Sequence, residues 1–143
     1  MAKPLWYLTK DGDRSCLALF RRHYSCHNKK PKQGQIVGPG EHLVLRTDEG
    51  NAVFVWRAAR YRADGQEGIE CPLFRNEGHN LSSELVRQAD AIADHAWPDQ
   101  RHYTFVDPKA VRSSNPGFCF LAAGWRKCGM TKNGLLILEL PRP

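Results

Sequence analysis

One polar stretch, Arg75-Asn76-Glu77-Gly78-His79-Asn80, separates a strand-like run from a helix-like run, and this order constrains the fold more than any other segment. Before it stands Gly68-Ile69-Glu70-Cys71-Pro72-Leu73-Phe74; after it Leu81, Leu85, Val86, Ala89, Ile92, Ala93 and Ala96 recur at helical spacing. A strand that enters a helix through a tight turn leaves several N–H groups without intrahelical partners, and the helix dipole adds positive potential at the same place. Phosphate binds such a place. Arg75 adds a planar five-donor fork suited to phosphate, and Ser82 and Ser83 add hydroxyls. The competing reading is a plain surface turn, with Asn80 as N-cap and the serines as capping residues.

At 143 residues the chain is expected to form a single domain, 1–143, large enough to bury a core without disulfides or metal staples. Its longest apolar runs, such as Leu135-Leu136-Ile137-Leu138, have the length of strands, and Met1-Ala2-Lys3-Pro4 has no apolar segment behind it. The expectation is a cytoplasmic protein with no membrane partner. Five cysteines form no Cys-x-x-Cys pair, which predicts reduced, mostly buried thiols. Lys and Arg number 21 against 15 Asp and Glu, a net charge of +6, and Arg21, Arg22, Lys29, Lys30 and Lys32 crowd into one short stretch. Such crowding suggests a polyanionic partner; the alternative is a basic face kept for solubility.

Periodicity and turn chemistry lay out the rest. Leu5–Leu8 reads as a strand, and Asp11 or Asp13 can cap a helix from about Arg14 to Ser25. Asn28 to Glu41 reads as a long polar loop. Strands follow at His42–Thr47, Ala52–Arg57 and Ile69–Phe74, then the helix ending near Trp97-Pro98 and a strand at Tyr103–Val106. A short helix after Asn115 precedes two strands, Trp125–Thr131 and Leu135–Leu140, joined at Lys132-Asn133-Gly134. This order predicts an α/β (α+β) fold with a central mixed, mostly antiparallel sheet and helices on its faces.

Two segments together carry a family resemblance. The Arg75–Asn80 loop, followed by Asn115-Pro116-Gly117-Phe118-Cys119-Phe120-Leu121-Ala122-Ala123-Gly124-Trp125, resembles the GNAT acyltransferase superfamily, whose members carry an Arg/Gln-x-x-Gly-x-Gly/Ala loop and then an Asn-helix-Gly-aromatic signature. Adding Arg22-His23-Tyr24-Ser25 and Ser82-Ser83-Glu84-Leu85, about residues 18 to 139 look like the Mom-type phage DNA-modification proteins, a divergent GNAT branch. The resemblance implies a GNAT-like domain that uses acetyl-CoA or another phosphate-bearing acyl or aminoacyl donor, held by Arg75, Asn76, Gly78, Asn80, Ser82, Ser83 and Asn115. It implies double-stranded DNA as partner and a glycinamide-type group placed on the exocyclic amine of adenine, which protects phage DNA from restriction. Iron is a further option in that branch, and the oligomeric state stays open, a homodimer among the options.

Acyl transfer needs a deprotonated amine and a protonated leaving group, and acid–base side chains supply both. GNAT enzymes use a Tyr four residues before the Gly of the second motif, where this chain has Phe120. A phenyl ring cannot donate a proton, and Phe118 stands where many Mom-type sequences carry a Tyr. His23, Tyr24 and Ser25, at the expected helix end beside the polar loop, are the replacements, and Asp107, at the end of a strand, is the candidate base or acceptor anchor. Asp107-Pro108 is equally a turn starter. His23 and His27 have a spacing that can place two imidazoles on one metal, but no third ligand is identifiable. DNA contacts fall to Arg21, Arg22, Lys29, Lys30 and Lys32, and Trp56, Tyr61 or Trp125 is available to stack on an extruded base, although core packing is the better reading of each. The rivals are a conventional GNAT N-acetyltransferase acting on a small amine or protein, and a non-catalytic DNA-binding protein on a GNAT scaffold.

Overall fold

The structure is a computed structural model and describes residues 3–23, 36–37, 40–58, 65–110 and 115–142. Among the described residues ten elements follow one another: β1 (Tyr7–Thr9), α1 (Arg14–Arg21), β2 (Glu41–Arg46), β3 (Ala52–Ala58), β4 (Ile69–Asn76), α2 (Ser82–Ala96), β5 (His102–Val106), α3 (Phe118–Ala122), β6 (Arg126–Met130) and β7 (Leu136–Leu140). The strands form one sheet in the order β1-β2-β3-β4-β5-β7-β6. Every neighbouring pair is antiparallel except β4 and β5, which are parallel because α2 carries the chain back between them. The expected mixed sheet with helices on its faces is the observed architecture.

Helix α1 starts where its cap dictates. Asp13, not Asp11, accepts from the amides of Ser15 and Cys16 and from the Ser15 hydroxyl. Asp11 instead accepts from the amides of Ile36 and Val37. The helix ends at Arg21, short of the expected Ser25, with Arg22 as C-cap. It buries Cys16 and Leu19 against Val44, Val53, Val55 and Leu73, on one face of the sheet.

The other face carries the larger core. Leu85, Val86, Ala89 and Ala93 of α2 pack on Phe54, Trp56, Ile69, Cys71, Val106 and Leu138, and burial of each large side chain contributes about 1.5–3 kcal/mol. Three indole N–H groups reach up to the helix: Trp6 donates to Leu85 O at 2.8 Å, Trp56 to Ala89 O at 3.0 Å and Trp125 to Asp90 Oδ2 at 2.9 Å. Trp56 and Trp125 are therefore core residues, 0% and 4% exposed, and neither offers a face to an extruded base; Tyr61 lies outside the described residues. Of the cysteines, Cys16 and Cys71 are buried, Cys119 is half-buried and Cys128 is exposed, and Cys26 lies outside the described residues. No helix among the described residues is long and apolar enough to cross a membrane.

Strand β4 changes face along its length. Val55 pairs with Leu73 and Arg57 with Glu70, so Trp56 alone opposes Cys71 and Pro72. This is a β-bulge, and Pro72, which has no N–H to place in the ladder, suits it. As a result Ile69, Cys71 and Phe74 face α2 while Leu73 faces α1.

Candidate functional site

Strands β4 and β5 touch only at their roots. Their register pairs are Ile69 with His102 and Glu70 with Tyr103; one residue further, Thr104 Oγ1 donates to Cys71 O at 2.7 Å. Beyond that point β4 continues to Asn76 and β5 to Val106 without pairing to each other, so a wedge opens toward their C-terminal ends. Open sheets bind ligands at such ends. On the α2 face of the sheet, Phe74 meets Phe120 edge to face at 5.9 Å, with Phe120 in turn against Trp125 at 4.8 Å.

Strand β4 delivers the chain into a loop wrapped around one side chain. Asn76 Nδ2 donates to Asn80 O at 2.7 Å and to Ser82 Oγ at 2.9 Å, while its Oδ1 accepts from the Gly78 amide at 2.9 Å. The Glu77 amide donates to Asn51 O at 2.8 Å. Helix α2 begins after Leu81, which has no side-chain cap, so Asn80 is not the N-cap and its carbonyl is part of the Asn76 web. The amides of Asn80, Leu81, Ser82 and Ser83 have no acceptor among the described residues. Gly78 has an ordinary backbone; it is needed because a Cβ there would stand 2.6 Å from the Asn51 carboxamide. Leu81, 70% exposed, stands at the start of α2 beside these amides, and Phe118, 62% exposed, opens α3.

Arg75 turns away from the helix terminus. Its Nε donates to Glu77 Oε2 at 2.6 Å and its Nη1 to Arg22 O at 3.0 Å, while Arg22 grips Glu77 through Nε and Nη2 at 2.8 and 3.0 Å. The two guanidinium groups hold the Glu77 carboxyl down at about 2. His23 follows Arg22, its amide donating to Phe20 O at 2.9 Å. The structure thus brings Arg22 and His23 beside Arg75, and joins Asn76, Gly78, Asn80 and Ser82 in one loop. Arg21 is exposed at the end of α1 and Ser83 is buried under α2. Tyr24, Ser25, His27, Lys29, Lys30 and Lys32 lie outside the described residues. Among those described, no group of three or more His, Cys, Asp or Glu side chains is arranged to hold a metal ion.

Asp107 stands just past β5, and its Oδ1 accepts from the Lys109 amide at 3.0 Å, as a turn-starting Asp does. Asn115 precedes α3, whose N-cap is Gly117 and which no side chain caps. Phe120 is 6% exposed, and burial pushes the Cys119 thiol beside it up to about 11.

Sequence reasoning missed a buried polar cluster at the other end of the wedge strands. His102 Nδ1 and Asp90 Oδ1 lie 2.8 Å apart, Trp125 donates to the other Asp90 oxygen, and the Trp56 ring lies 4.7 Å from the imidazole. His102 Nε2 is 3.2 Å from Asp94 Oδ1 without the alignment of a hydrogen bond. Burial pushes the Asp90 carboxyl above its usual value against the pull of these donors. The available signal was an Asp on the apolar stripe of α2, four residues after Val86 and three before Ala93. The cluster ties α2 to the root of β5, away from the open end of the wedge.

No protein-family profile and no curated protein matches the chain. Among solved structures it is similar to the crystal structure of an acyl-CoA N-acyltransferase from Pseudomonas aeruginosa, at 17% identity over 94% of this chain and 97% of that one, with a TM-score of 0.57. The likeness is one of fold: this chain has the GNAT-like fold expected from its two motifs.

Proposed function

We propose that the protein transfers an acyl-type group from a phosphate-bearing donor, acetyl-CoA or an aminoacyl relative, to an amine, and that the acceptor is the exocyclic amine of adenine in double-stranded DNA. The observation that carries the reading is the parting of β4 and β5 beside unpartnered amides at the start of α2. Phosphate accepts from such amides, and the wedge gives the donor's reactive end a path between the strands toward the α1 face. The name of the structural neighbour, an acyl-CoA N-acyltransferase, supports the donor class. The Arg21–Lys32 charge cluster and the Mom-type resemblance support DNA as acceptor.

On this reading the amine nitrogen attacks the donor carbonyl carbon, the bond from that carbon to the leaving group breaks, and the leaving group takes up a proton as the nitrogen loses one. Phe120 can supply no proton, so His23 and Tyr24 take the acid–base role and Asp107 orients the amine. The second reading, a conventional N-acetyltransferase acting on a small amine or protein, shares the wedge, the α2 amides and the neighbour's name and differs in the acceptor.

One experiment separates them. Plasmid DNA from bacteria expressing the protein is digested and its nucleosides weighed. A heavier adenosine is expected, with Tyr24→Phe and Asp107→Asn each lowering the modified fraction while the fold persists. Unchanged nucleoside masses, with acetyl-CoA still bound, would move the assignment to the conventional acetyltransferase.

A further inference from the structure

The carboxylate of Glu77 sits between two guanidinium groups that come from distant parts of the chain. Arg22, the C-cap of α1, makes a two-pronged contact with it, and Arg75, from the end of β4, adds a third bond. Two guanidinium groups around one oxyanion match the demands of a phosphate group better than those of a carboxylate, because phosphate offers more oxygens and more charge. The cluster is open to solvent: the Arg22, Arg75 and Glu77 side chains are 51%, 32% and 32% exposed. Exposed ion pairs contribute little to stability, so an arriving dianion has little to displace. The two guanidinium groups hold the Glu77 carboxyl well below the usual carboxylate range, so it meets an arriving anion as a carboxylate at neutral pH. Glu77 also belongs to the loop whose other residues surround the unpartnered α2 amides, and Arg75 holds the terminal carbonyl of α1, so any anion that takes Arg75 acts on both elements.

We propose that Arg22 and Arg75 form a phosphate site which Glu77 occupies as a built-in competitor until a substrate phosphate displaces it. The proposal rests on the phosphate-bearing substrates of the function proposed above and identifies the side chains that meet one of their phosphates. That phosphate belongs either to the donor or to the acceptor, and the chemistry is the same.

Calorimetric titration of inorganic pyrophosphate, coenzyme A and a short duplex DNA into the wild type, Glu77→Gln, and Glu77→Gln combined with Arg22→Gln tests this. Glu77→Gln keeps the size of the side chain and removes its charge, so the site's ligand should bind about 5-fold more tightly, and the added Arg22→Gln should abolish the gain. A gain with pyrophosphate supports the site whatever the protein's reaction. A gain shared only with coenzyme A assigns the donor, and one shared only with DNA assigns the acceptor. If Glu77→Gln, shown by its melting curve to be folded, binds all three probes no more tightly than the wild type, the competitor role is overturned. Absence of coenzyme A binding by every protein, with the pyrophosphate gain intact, would count against the proposed donor and not against this site.

Discussion

Gly78→Ala should destabilise the protein through one neighbour, and the size of the effect follows from the geometry. The new methyl would stand 2.6 Å from Asn51 Cγ and Oδ1 and 2.7 Å from Nδ2, far inside the 3.5–4.0 Å at which such atoms rest. Asn51 cannot retreat freely, since its Oδ1 accepts from the buried Thr47 hydroxyl at 2.8 Å and its Nδ2 donates to Glu49 at 3.1 Å. Losing the Thr47 bond costs about 0.5–1.5 kcal/mol, and forcing the side chain off its rotamer a similar amount. Against this, alanine restricts the unfolded chain and returns about 0.4–1 kcal/mol, because Gly78 has no left-handed backbone to preserve. The net loss is about 0.5–2 kcal/mol. For 143 residues the unfolding entropy is about 0.3 kcal/mol/K, so Tm should fall by about 2–7 °C. The decisive assay is a double-mutant cycle by calorimetry. In an Asn51→Ala background the obstructing atoms are gone, and Gly78→Ala should become neutral or stabilising. An equal fall in Tm in both backgrounds would refute the steric argument.

Two further outcomes are expected. Burial pushes the Asp13 carboxyl up, but hydrogen bonds from Ser15, the Cys16 amide and Thr9, with the charge of Arg46, hold it well below its ordinary value. Its folded value is depressed, so its contribution is complete above about pH 3.8 and is lost as pH falls below that. Asp13→Ala should cost about 1–2 kcal/mol in urea unfolding at neutral pH, with the gap narrowing in acid; a gap that widened there would contradict the assignment. Trp125→Phe leaves a buried Asp90 oxygen without its donor, so a loss of about 1–3 kcal/mol is expected, and unchanged denaturation would show that the indole bond carries no weight.

Much of the architecture was legible because local chemistry dictated it. Asn133-Gly134 turns the β6–β7 hairpin, with Gly134 at a φ of 84°. The apolar stripe of α2 and the Trp97-Pro98 stop placed that helix to within a residue. Boundaries set by tertiary contacts were less legible: α1 stops at Arg21 though its pattern runs on, and the loop ahead of α2 is organised by Asn76, not capped by Asn80. The site was half legible. The loop and the Arg22–His23 stretch do meet, but the partners that define their geometry, Asn51 and Glu77, carry no periodic or spacing signal. His102 and Asp90 meet only because β5 runs beneath α2, a relation no one-dimensional pattern encodes.

The three indoles that hold α2 have a consequence for how the molecule meets a ligand. Leu85, Ala89 and Asp90 are gripped from the chain ahead of β1, from β3 and from the segment between α3 and β6, three anchor points along one side of a single rod. A rod fastened at three points can neither slide along the sheet nor roll over it. Its first turn is therefore stationed at the strand ends before anything arrives there. A ligand that docks on those amides has no helix to order, and the affinity it would lose to that ordering is kept.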